Sequence, residues 1–316
     1  MAGPVSILVT RKLPAAALAI LRDVGEVEVA AAPLDAEALR TYVRGRAALV
    51  CLLTDRIDAA LLDAAGSGLR IVANVAVGVD NIDIPAARER GIVVTNTPDV
   101  LTNAVAEFTW GLILAVTRRL TEADRFVRRG EWTGWSPDLL NGTELAGKRL
   151  GIVGAGRIGR AVAARAPAFG MDVVFTRRGA ASEIDGRPAL SLDEVLVTSD
   201  VVSVHAPLTS ATRHLIDRQT LGRMKSTAYL INTARGPVVD EEALVVALET
   251  GALAGAALDV FEREPAIHPG LLQLENVVLA PHLGSSTRET RTAMAELAAR
   301  NVFRVLRGQR PLTPVE

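Results

Sequence analysis

Cysteine, lysine and aromatic residues are all scarce in this chain of 316 residues. The single cysteine, Cys51, excludes an intramolecular disulfide framework, a cysteine-rich zinc site and a cluster held by several thiolates. Low cysteine use also indicates a reducing compartment, so we expect a cytoplasmic protein. We also expect no metal centre. Three Trp, two Tyr and six Phe are too few to predict a base-stacking platform for nucleic acid.

Charge and hydrophobicity argue against binding to nucleic acid and against association with a membrane. The 35 basic and 36 acidic residues give a formal net charge of -1, so no global attraction to nucleic acid or an anionic membrane is expected. The chain lacks any run of 18 or more apolar residues, and the sequence therefore predicts no membrane span. The early segment PVSILVT is typical of a first strand rather than of a signal peptide.

Arginine largely replaces lysine. Only Lys12, Lys148 and Lys225 are lysines, which leaves 32 arginines among the 35 basic residues. We interpret most of this excess as codon bias in a GC-rich genome. Because a guanidinium also suits phosphate and carboxylate recognition, individual arginines are judged by their positions.

The length predicts two domains. In the first hundred residues short apolar strands alternate with helical patterns, which is typical of a parallel sheet covered by helices. One long helical pattern then runs from Thr102 to Gly130, and a last helix is predicted at 288–306. Between them a second series of strands is predicted at 149–154, 172–176, 201–205, 228–233, 255–260 and 277–282. We therefore predict the α/β class, with two doubly wound parallel-sheet units.

The segment GAGRIG, 154–159, follows one of these strands and opens a helical pattern. A G-x-G-x-x-G sequence in that context predicts a dinucleotide-binding loop. Gly154 permits the tight turn, Gly156 lets the backbone approach a pyrophosphate, and Gly159 lets the helix pack on the strand. The unpaired N–H groups of the helix N-terminus would then face the diphosphate.

The end of the next strand distinguishes the two nicotinamide cofactors. In NAD binders an acidic residue there bonds the ribose 2′-hydroxyl. Here the strand ends in Thr176, Arg177 and Arg178, which include no acid. Guanidinium groups would hold a 2′-phosphate, so the sequence predicts a preference for NADP(H), with NAD(H) as a possible second cofactor.

Three polar residues, Arg235, Glu264 and His282, follow the ends of predicted strands, where open parallel sheets bind their ligands. Hydride transfer to a 2-keto acid needs a cation to bind the carboxylate and polarise the ketone, which Arg235 can supply. It needs an acid for the developing alkoxide, which His282 can supply. A carboxylate such as Glu264 keeps that histidine protonated and oriented.

The chain resembles the D-isomer-specific 2-hydroxyacid dehydrogenases over nearly its whole length. Within that family it looks most like the glyoxylate/hydroxypyruvate reductases. The features are CLLTDRID (51–58), TPDVLT (97–102), EWTGWSP (131–137) and the arginines after the second Rossmann strand, Arg177 and Arg178. The family motifs occur in the family's order as NVAVGVDNIDI (74–84), LGIVGAGRIGRAVA (150–163), HAPLT (205–209), NTARGPVVDEEAL (232–244), ALDVFEREP (257–265) and APHLGSST (280–287).

The resemblance implies a role for each matching residue. The catalytic Arg, Glu and His fall on Arg235, Glu264 and His282. The substrate-binding positions fall on Leu53, Val75, Ala76, Val77, Gly78, Arg235 and His282. The cofactor-binding positions fall on Gly154, Gly156, Arg157, Ile158, Gly159, Thr176, Arg177, Arg178, His205, Ala206, Pro207, Thr233, Ala234, Arg235, Asp259, His282 and Gly284. Trp135 falls where the family's dimer loop reaches toward the neighbouring subunit.

The resemblance also implies an organisation and an activity. Residues 1–98 with 287–316 would form the substrate-binding domain, and 99–286 an inserted NAD(P)-binding Rossmann domain, with a cleft between the two. A homodimer through the cofactor domain is implied, as is reduction of glyoxylate or hydroxypyruvate to the D-2-hydroxy acid. Two alternatives stay open: an enzyme like D-3-phosphoglycerate dehydrogenase, and a non-enzymatic dinucleotide-sensing protein of the same fold.

Overall fold

The computed structural model describes residues 5–176, 179 and 181–315. The chain divides by its internal contacts into a first unit, Met1–Leu101 with Ser286–Glu316, and a second unit, Thr102–Ser285. Each unit is built on a largely parallel sheet with interleaved helices, so the predicted fold class is confirmed.

The strands found in the described residues are β1 (Ser6–Val9), β2 (Glu26–Val29), β3 (Ala48–Cys51), β4 (Ile71–Asn74), β5 (Val93–Thr95), β6 (Arg149–Val153), β7 (Asp172–Thr176), β8 (Glu183–Ile184), β9 (Arg187–Leu190), β10 (Val201–Val204), β11 (Tyr229–Asn232), β12 (Gly255–Leu258) and β13 (Val277–Leu279). The helices are α1 (Ala15–Arg22), α2 (Ala36–Tyr42), α3 (Ala59–Ala65), α4 (Ile84–Glu89), α5 (Thr102–Thr117), α6 (Leu120–Arg128), α7 (Arg157–Arg165), α8 (Leu192–Thr198), α9 (Arg218–Leu221), α10 (Glu241–Glu249) and α11 (Arg288–Leu306).

The sheet of the first unit has the parallel order β2-β1-β3-β4-β5. Strands β3 and β4 are buried at every position, which is why every residue of the two strands except Asn74 is apolar. Helix α11 returns from the end of the chain and packs on α1 and β4. Arg70 fixes the end of that helix by donating to the carbonyl of Val305 at 2.6 Å.

Strand β5 lies at one edge of this sheet, and the C-terminal segment runs along it. Thr95 and Pro314 form an antiparallel bridge, and the N–H of Val315 donates to the carbonyl of Val94 at 2.9 Å. The hydroxyl of Thr313 donates to the carbonyl of Asn96 at 2.6 Å. The segment thus occupies hydrogen-bonding groups that an open sheet edge would present to other chains.

The second unit has the sheet order β13-β12-β11-β10-β6-β7-β9-β8, and only the β8–β9 pair is antiparallel among its described strands. Asp185 and Gly186 connect that pair with φ values of 51° and 69°, the conformation of a two-residue hairpin turn. The strand order reverses between β6 and β10. Open α/β sheets bind ligands at the carboxyl ends of the strands beside such a reversal.

The predicted continuous helix from Thr102 to Gly130 is wrong. The chain leaves the helical ladder after α5 because the carbonyl of Thr117 accepts the N–H of Thr143 at 2.7 Å, and Arg119 then adopts a left-handed φ of 53°. Helix α5 is buried in the second unit, where Trp110 stacks on Phe169 with ring centroids 4.2 Å apart. Helix α6 has no buried residue. None of the helices in the described ranges combines the length and apolar character that crossing a membrane requires.

Candidate active site

The glycine loop after β6 is shaped by backbone contacts. Gly154 has a φ of 106°, which a residue with a side chain rarely adopts. A Cβ atom at Gly159 would lie 2.1 Å from the carbonyl oxygen of Gly154, so only glycine lets α7 approach β6 this closely. Both positions therefore have the structural roles that the sequence predicts for them.

Gly156 has a different role, because a Cβ there would meet no atom within 4 Å. It is the N-cap of α7 and supplies no side-chain hydrogen bond to the first N–H groups of that helix. Arg157 is exposed and Ile158 half-buried in the first turn. An uncapped helix N-terminus with open space in front fits the pyrophosphate of a dinucleotide.

Thr176 closes β7 beside this loop. Its hydroxyl accepts the N–H of Gly154 at 3.1 Å, which joins the end of β7 to the glycine turn. The predicted partners Arg177 and Arg178 lie outside the described residues.

The end of β10 contacts the other side of the glycine loop. A Cβ at Gly154 would lie 2.7 Å from the backbone nitrogen of Ala206. Burial lowers the pKa of His205 to about 3, so its ring is neutral at physiological pH, and it pairs with the Ser203 hydroxyl at 2.8 Å. Pro207, the last residue predicted here, is exposed.

Buried Asn232 shapes the turn that carries Arg235. Its Nδ2 donates to the carbonyl of Arg235 at 3.0 Å, and its Oδ1 accepts the N–H of Ala234 at 3.0 Å. The hydroxyls of Thr233 and Thr109 lie 3.0 Å apart. The turn after β11 is thus held at three points, and Arg235 leaves it half-buried.

Asp259 connects the ends of β12 and β13. It is 1% exposed and accepts the N–H groups of Leu283 and Gly284 at 2.6 and 2.8 Å. Burial raises the pKa of Asp259, although these N–H groups and the nearby His282 oppose the shift. The N–H of His282 donates to the Asp259 carbonyl at 2.8 Å, and His282 has a left-handed φ of 57°. This backbone arrangement fixes where the imidazole projects.

Glu264 and His282 form a direct pair. Glu264 Oε2 lies 2.9 Å from His282 Nδ1, and Glu264 Oε1 accepts the N–H of Phe261 at 3.1 Å. Burial alone would raise the pKa of Glu264. The hydrogen bond and charge of His282, the N–H of Phe261 and the charge of Arg235 outweigh it, and the pKa is lowered. Glu264 is therefore ionised at neutral pH, within electrostatic reach of both His282 and Arg235.

The remaining predicted residues belong to the first unit. Val75 and Ala76 are buried, while Leu53, Val77 and Gly78 are half-buried. Leu53 lines a cavity of about 440 Å³ with Asp80 and Asn81 among its neighbours.

Two asparagines that were not among the predicted site residues hold the 75–78 loop. Asn74 Nδ2 donates to the carbonyl of Gly78 at 2.9 Å, and Asn96 Nδ2 donates to that of Val77 at 2.8 Å. Asn74 ends β4, Asn96 follows β5, and Asn232 ends β11. The available signal was an asparagine at the end of an apolar strand.

Comparison with known proteins agrees with this arrangement. Residues 110–284 match the family described as "D-isomer specific 2-hydroxyacid dehydrogenase, NAD binding domain". The glyoxylate reductase of Thermofilum pendens is 51% identical over 321 residues, covering 98% of this chain and 94% of that protein.

Two crystal structures are similar over nearly the whole chain. A Thermus thermophilus protein shares 49% identity with a TM-score of 0.93, covering 98% of this chain and 100% of that one. The NADPH-dependent glyoxylate/hydroxypyruvate reductase of Sinorhizobium meliloti, solved with NADP and malonate, shares 36% identity with a TM-score of 0.89, covering 99% and 97%. The shared fold, the glycine loop and the extent of these similarities together show that this chain belongs to the D-isomer specific 2-hydroxyacid dehydrogenase family.

Proposed function

We propose that this chain reduces glyoxylate or hydroxypyruvate to the D-2-hydroxy acid with NAD(P)H. The observation that carries the proposal is the 2.9 Å contact between Glu264 Oε2 and His282 Nδ1, in the same unit as Arg235 and the glycine loop. The substrate class follows from the proteins of Thermofilum pendens and Sinorhizobium meliloti, which are named for these substrates.

Each of the three residues has one task in this reaction. Arg235 binds the substrate carboxylate and polarises the ketone, because its guanidinium presents several N–H donors in one plane. His282 uses Nδ1 for Glu264, so Nε2 is the nitrogen that protonates the developing alkoxide. Ionised Glu264 orients the ring through its contact with Nδ1. A bound nicotinamide supplies the hydride.

We further propose that the chain prefers NADPH to NADH. The support is the sequence Thr176-Arg177-Arg178, in which no carboxylate repels a 2′-phosphate. The similar Sinorhizobium meliloti enzyme is named as NADPH-dependent and was solved with NADP. At Thr176 the hydroxyl oxygen accepts from Gly154, which leaves its proton to donate to a phosphate.

In this proposal one part of the chain binds the substrate and the other binds the cofactor. Residues 1–98 with 287–316 bind the substrate through Leu53 and the backbone of 75–78, and residues 99–286 bind the cofactor. The support is the hydrogen bonding of the 75–78 loop, whose carbonyls are occupied by donors from Asn74, Asn96 and Thr97. A loop held in this way presents its backbone in one fixed shape.

We also propose a homodimer formed through the cofactor domain. Helix α6 buries none of its residues, and the segment that follows exposes Trp132 and, at 84%, Trp135. Large apolar side chains exposed along one helix and its loop are typical of an interface. A cytoplasmic location is proposed from the single free cysteine, Cys51.

A substrate panel measured with both cofactors tests the function. Glyoxylate, hydroxypyruvate, pyruvate, 2-ketobutyrate and 3-phosphohydroxypyruvate are each offered with NADPH and with NADH, and oxidation of the cofactor is followed by absorbance. We expect the highest kcat/KM for glyoxylate or hydroxypyruvate with NADPH. A preference for 3-phosphohydroxypyruvate, or tight dinucleotide binding without turnover of any 2-keto acid, would contradict the proposal.

A further inference from the structure

The loop that carries Glu264 is anchored by a second, buried glutamate. Glu241 begins α10, is 6% exposed, and accepts the N–H of Glu262 on Oε1 at 2.5 Å. Burial raises the pKa of Glu241, and the negative charge of Glu262 raises it further. The N–H groups of Glu262 and His268 and the charge of His268 lower it, but they do not cancel the effect of burial. Burying a carboxylate without hydrogen-bond donors costs free energy, so the buried position of Glu241 depends on the N–H that this loop donates to it.

The same stretch of loop lies directly on the Arg235 turn. A Cβ at Gly236 would be 1.9 Å from both the carbonyl carbon and the carbonyl oxygen of Phe261, and 2.4 Å from the nitrogen of Glu262. The Phe261–Glu262 peptide therefore rests on the residue that follows Arg235. Any displacement of this peptide changes the spacing between the loops of Arg235 and Glu264.

The side chain of Glu262 gives the peptide another attachment. Its Oε1 lies 2.7 Å from His214 Nε2 and 3.7 Å from Arg213 Nη1. Glu262 is thus held by its N–H through Glu241 and by its carboxylate through His214. Two residues further on, Glu264 reaches back to the N–H of Phe261 and outward to His282.

We infer that Glu241 is a positioning residue for the reduction: its buried carboxylate fixes the Phe261–Glu262 peptide, and the peptide sets Glu264 against His282. The inference rests on the proposed function, because it takes the Glu264–His282 pair as the proton-donating group. Glu241 acts through the loop and touches neither substrate nor cofactor.

Kinetics of two substitutions test the inference. Glu241→Met keeps the length of the side chain but removes the acceptor, whereas Glu241→Gln keeps an acceptor oxygen. For Glu241→Met we expect kcat to fall about 10- to 100-fold, the cost of a small misplacement, with the dissociation constant of NADPH unchanged. The acid limb of kcat/KM should move to higher pH, because Glu264 without His282 loses the hydrogen bond and the charge that do most to lower its pKa. Only the N–H of Phe261 and the charge of Arg235 would then oppose the effect of burial.

The controls separate positioning from folding. Glu241→Gln should recover most of the lost kcat, and Glu249→Ala, at an exposed position on the same helix, should match the wild type. If Glu241→Met does not fold, Glu241→Asp, which withdraws the carboxylate by one methylene, takes its place with the same expectations. Wild-type kcat and an unshifted acid limb in the folded variant, or equal loss in the Met and Gln variants, would overturn the inference.

One readout does not depend on turnover. In a crystal structure of Glu241→Met the Glu264 Oε2 to His282 Nδ1 distance should exceed hydrogen-bonding range, whereas an unchanged 2.9 Å would overturn the inference. A wild-type enzyme inactive on every 2-keto acid would instead overturn the proposed function, and this distance would still test the role of Glu241.

Discussion

Glu264 and His282 meet at 2.9 Å although they come from different loops, one after β12 and one after β13. Asp259 stabilises the same arrangement, because it accepts two N–H groups from the loop of His282 and gives its own carbonyl to that residue. The pair is therefore built by the backbone of two loops as much as by its own hydrogen bond. This preorganisation leaves the imidazole little freedom to lose when a substrate binds.

Removing the imidazole should abolish most of the turnover. For His282→Ala we expect kcat for glyoxylate reduction to fall roughly 10²-fold or more, the usual contribution of a general acid. Stopped-flow or steady-state assays with saturating cofactor measure the change. The same loss should not follow His268→Gln, which alters a histidine paired with Glu242 instead. Wild-type turnover in His282→Ala would remove His282 from the mechanism.

His205 should make the protein less stable in acid. Its pKa is about 3 in the folded chain and about 6.5 in an unfolded one, so between these values the unfolded state binds more protons. The contribution of neutral His205 is complete above about pH 6.5 and is lost as the pH falls toward 3. In His205→Gln this loss disappears, and Tm should fall less steeply between pH 6.5 and 4. Calorimetry of both proteins that gives parallel Tm curves would contradict the assignment.

Two glycines of the same loop should respond differently to alanine. At Gly156 an added Cβ meets no protein atom, so Gly156→Ala should change the free energy of unfolding by no more than about 1 kcal/mol. It should raise the dissociation constant of NADPH about tenfold, or about 1.4 kcal/mol, because the methyl group takes the space of the pyrophosphate. At Gly159 the contact with Gly154 is only 2.1 Å, so Gly159→Ala should lower stability by about 1–3 kcal/mol. Denaturant titration and cofactor fluorescence measure the two effects; equal stability of the variants would count against this division.

A carboxylate at position 177 should shift cofactor use from NADPH toward NADH. In Arg177→Asp the new side chain repels a 2′-phosphate and can bond a ribose 2′-hydroxyl. We expect the ratio of kcat/KM for NADPH over NADH to fall by at least about tenfold, measured with one 2-keto acid at fixed ionic strength. Arg177→Gln serves as the neutral control and should fall between the two. An unchanged ratio would show that the 2′-phosphate is bound elsewhere.

The features that could be predicted most reliably from the sequence are those that depend on residues close to one another in the chain. The strands of both sheets and helix α11 lie where alternation and apolar periodicity indicated, since burial on one face or both sets those patterns. The β8–β9 hairpin was missed although its Asp-Gly turn is a local signal. The break between α5 and α6 could not be predicted in the same way, because the bond that causes it joins Thr117 to Thr143.

Hydrogen bonds between residues that are far apart in the sequence also limit what can be predicted of the site. Arg235, Glu264 and His282 are predicted as site residues from their positions after strands, which a sequence shows directly. Glu241 lies within the motif at 232–244, but its partner, the N–H of Glu262, is 21 residues away. Its burial and its bond appear only when α10 is placed beside the loop after β12.

The C-terminal segment beside β5 has a practical consequence for handling the protein. Val315 is bonded to Val94, so only one residue would separate a purification tag added at that end from a sheet contact. Removal of the last four residues would uncover the edge of a hydrophobic five-stranded sheet formed by the described residues, a template for intermolecular strand pairing. Shortening the chain at this end for crystallisation should therefore make the protein more prone to aggregate.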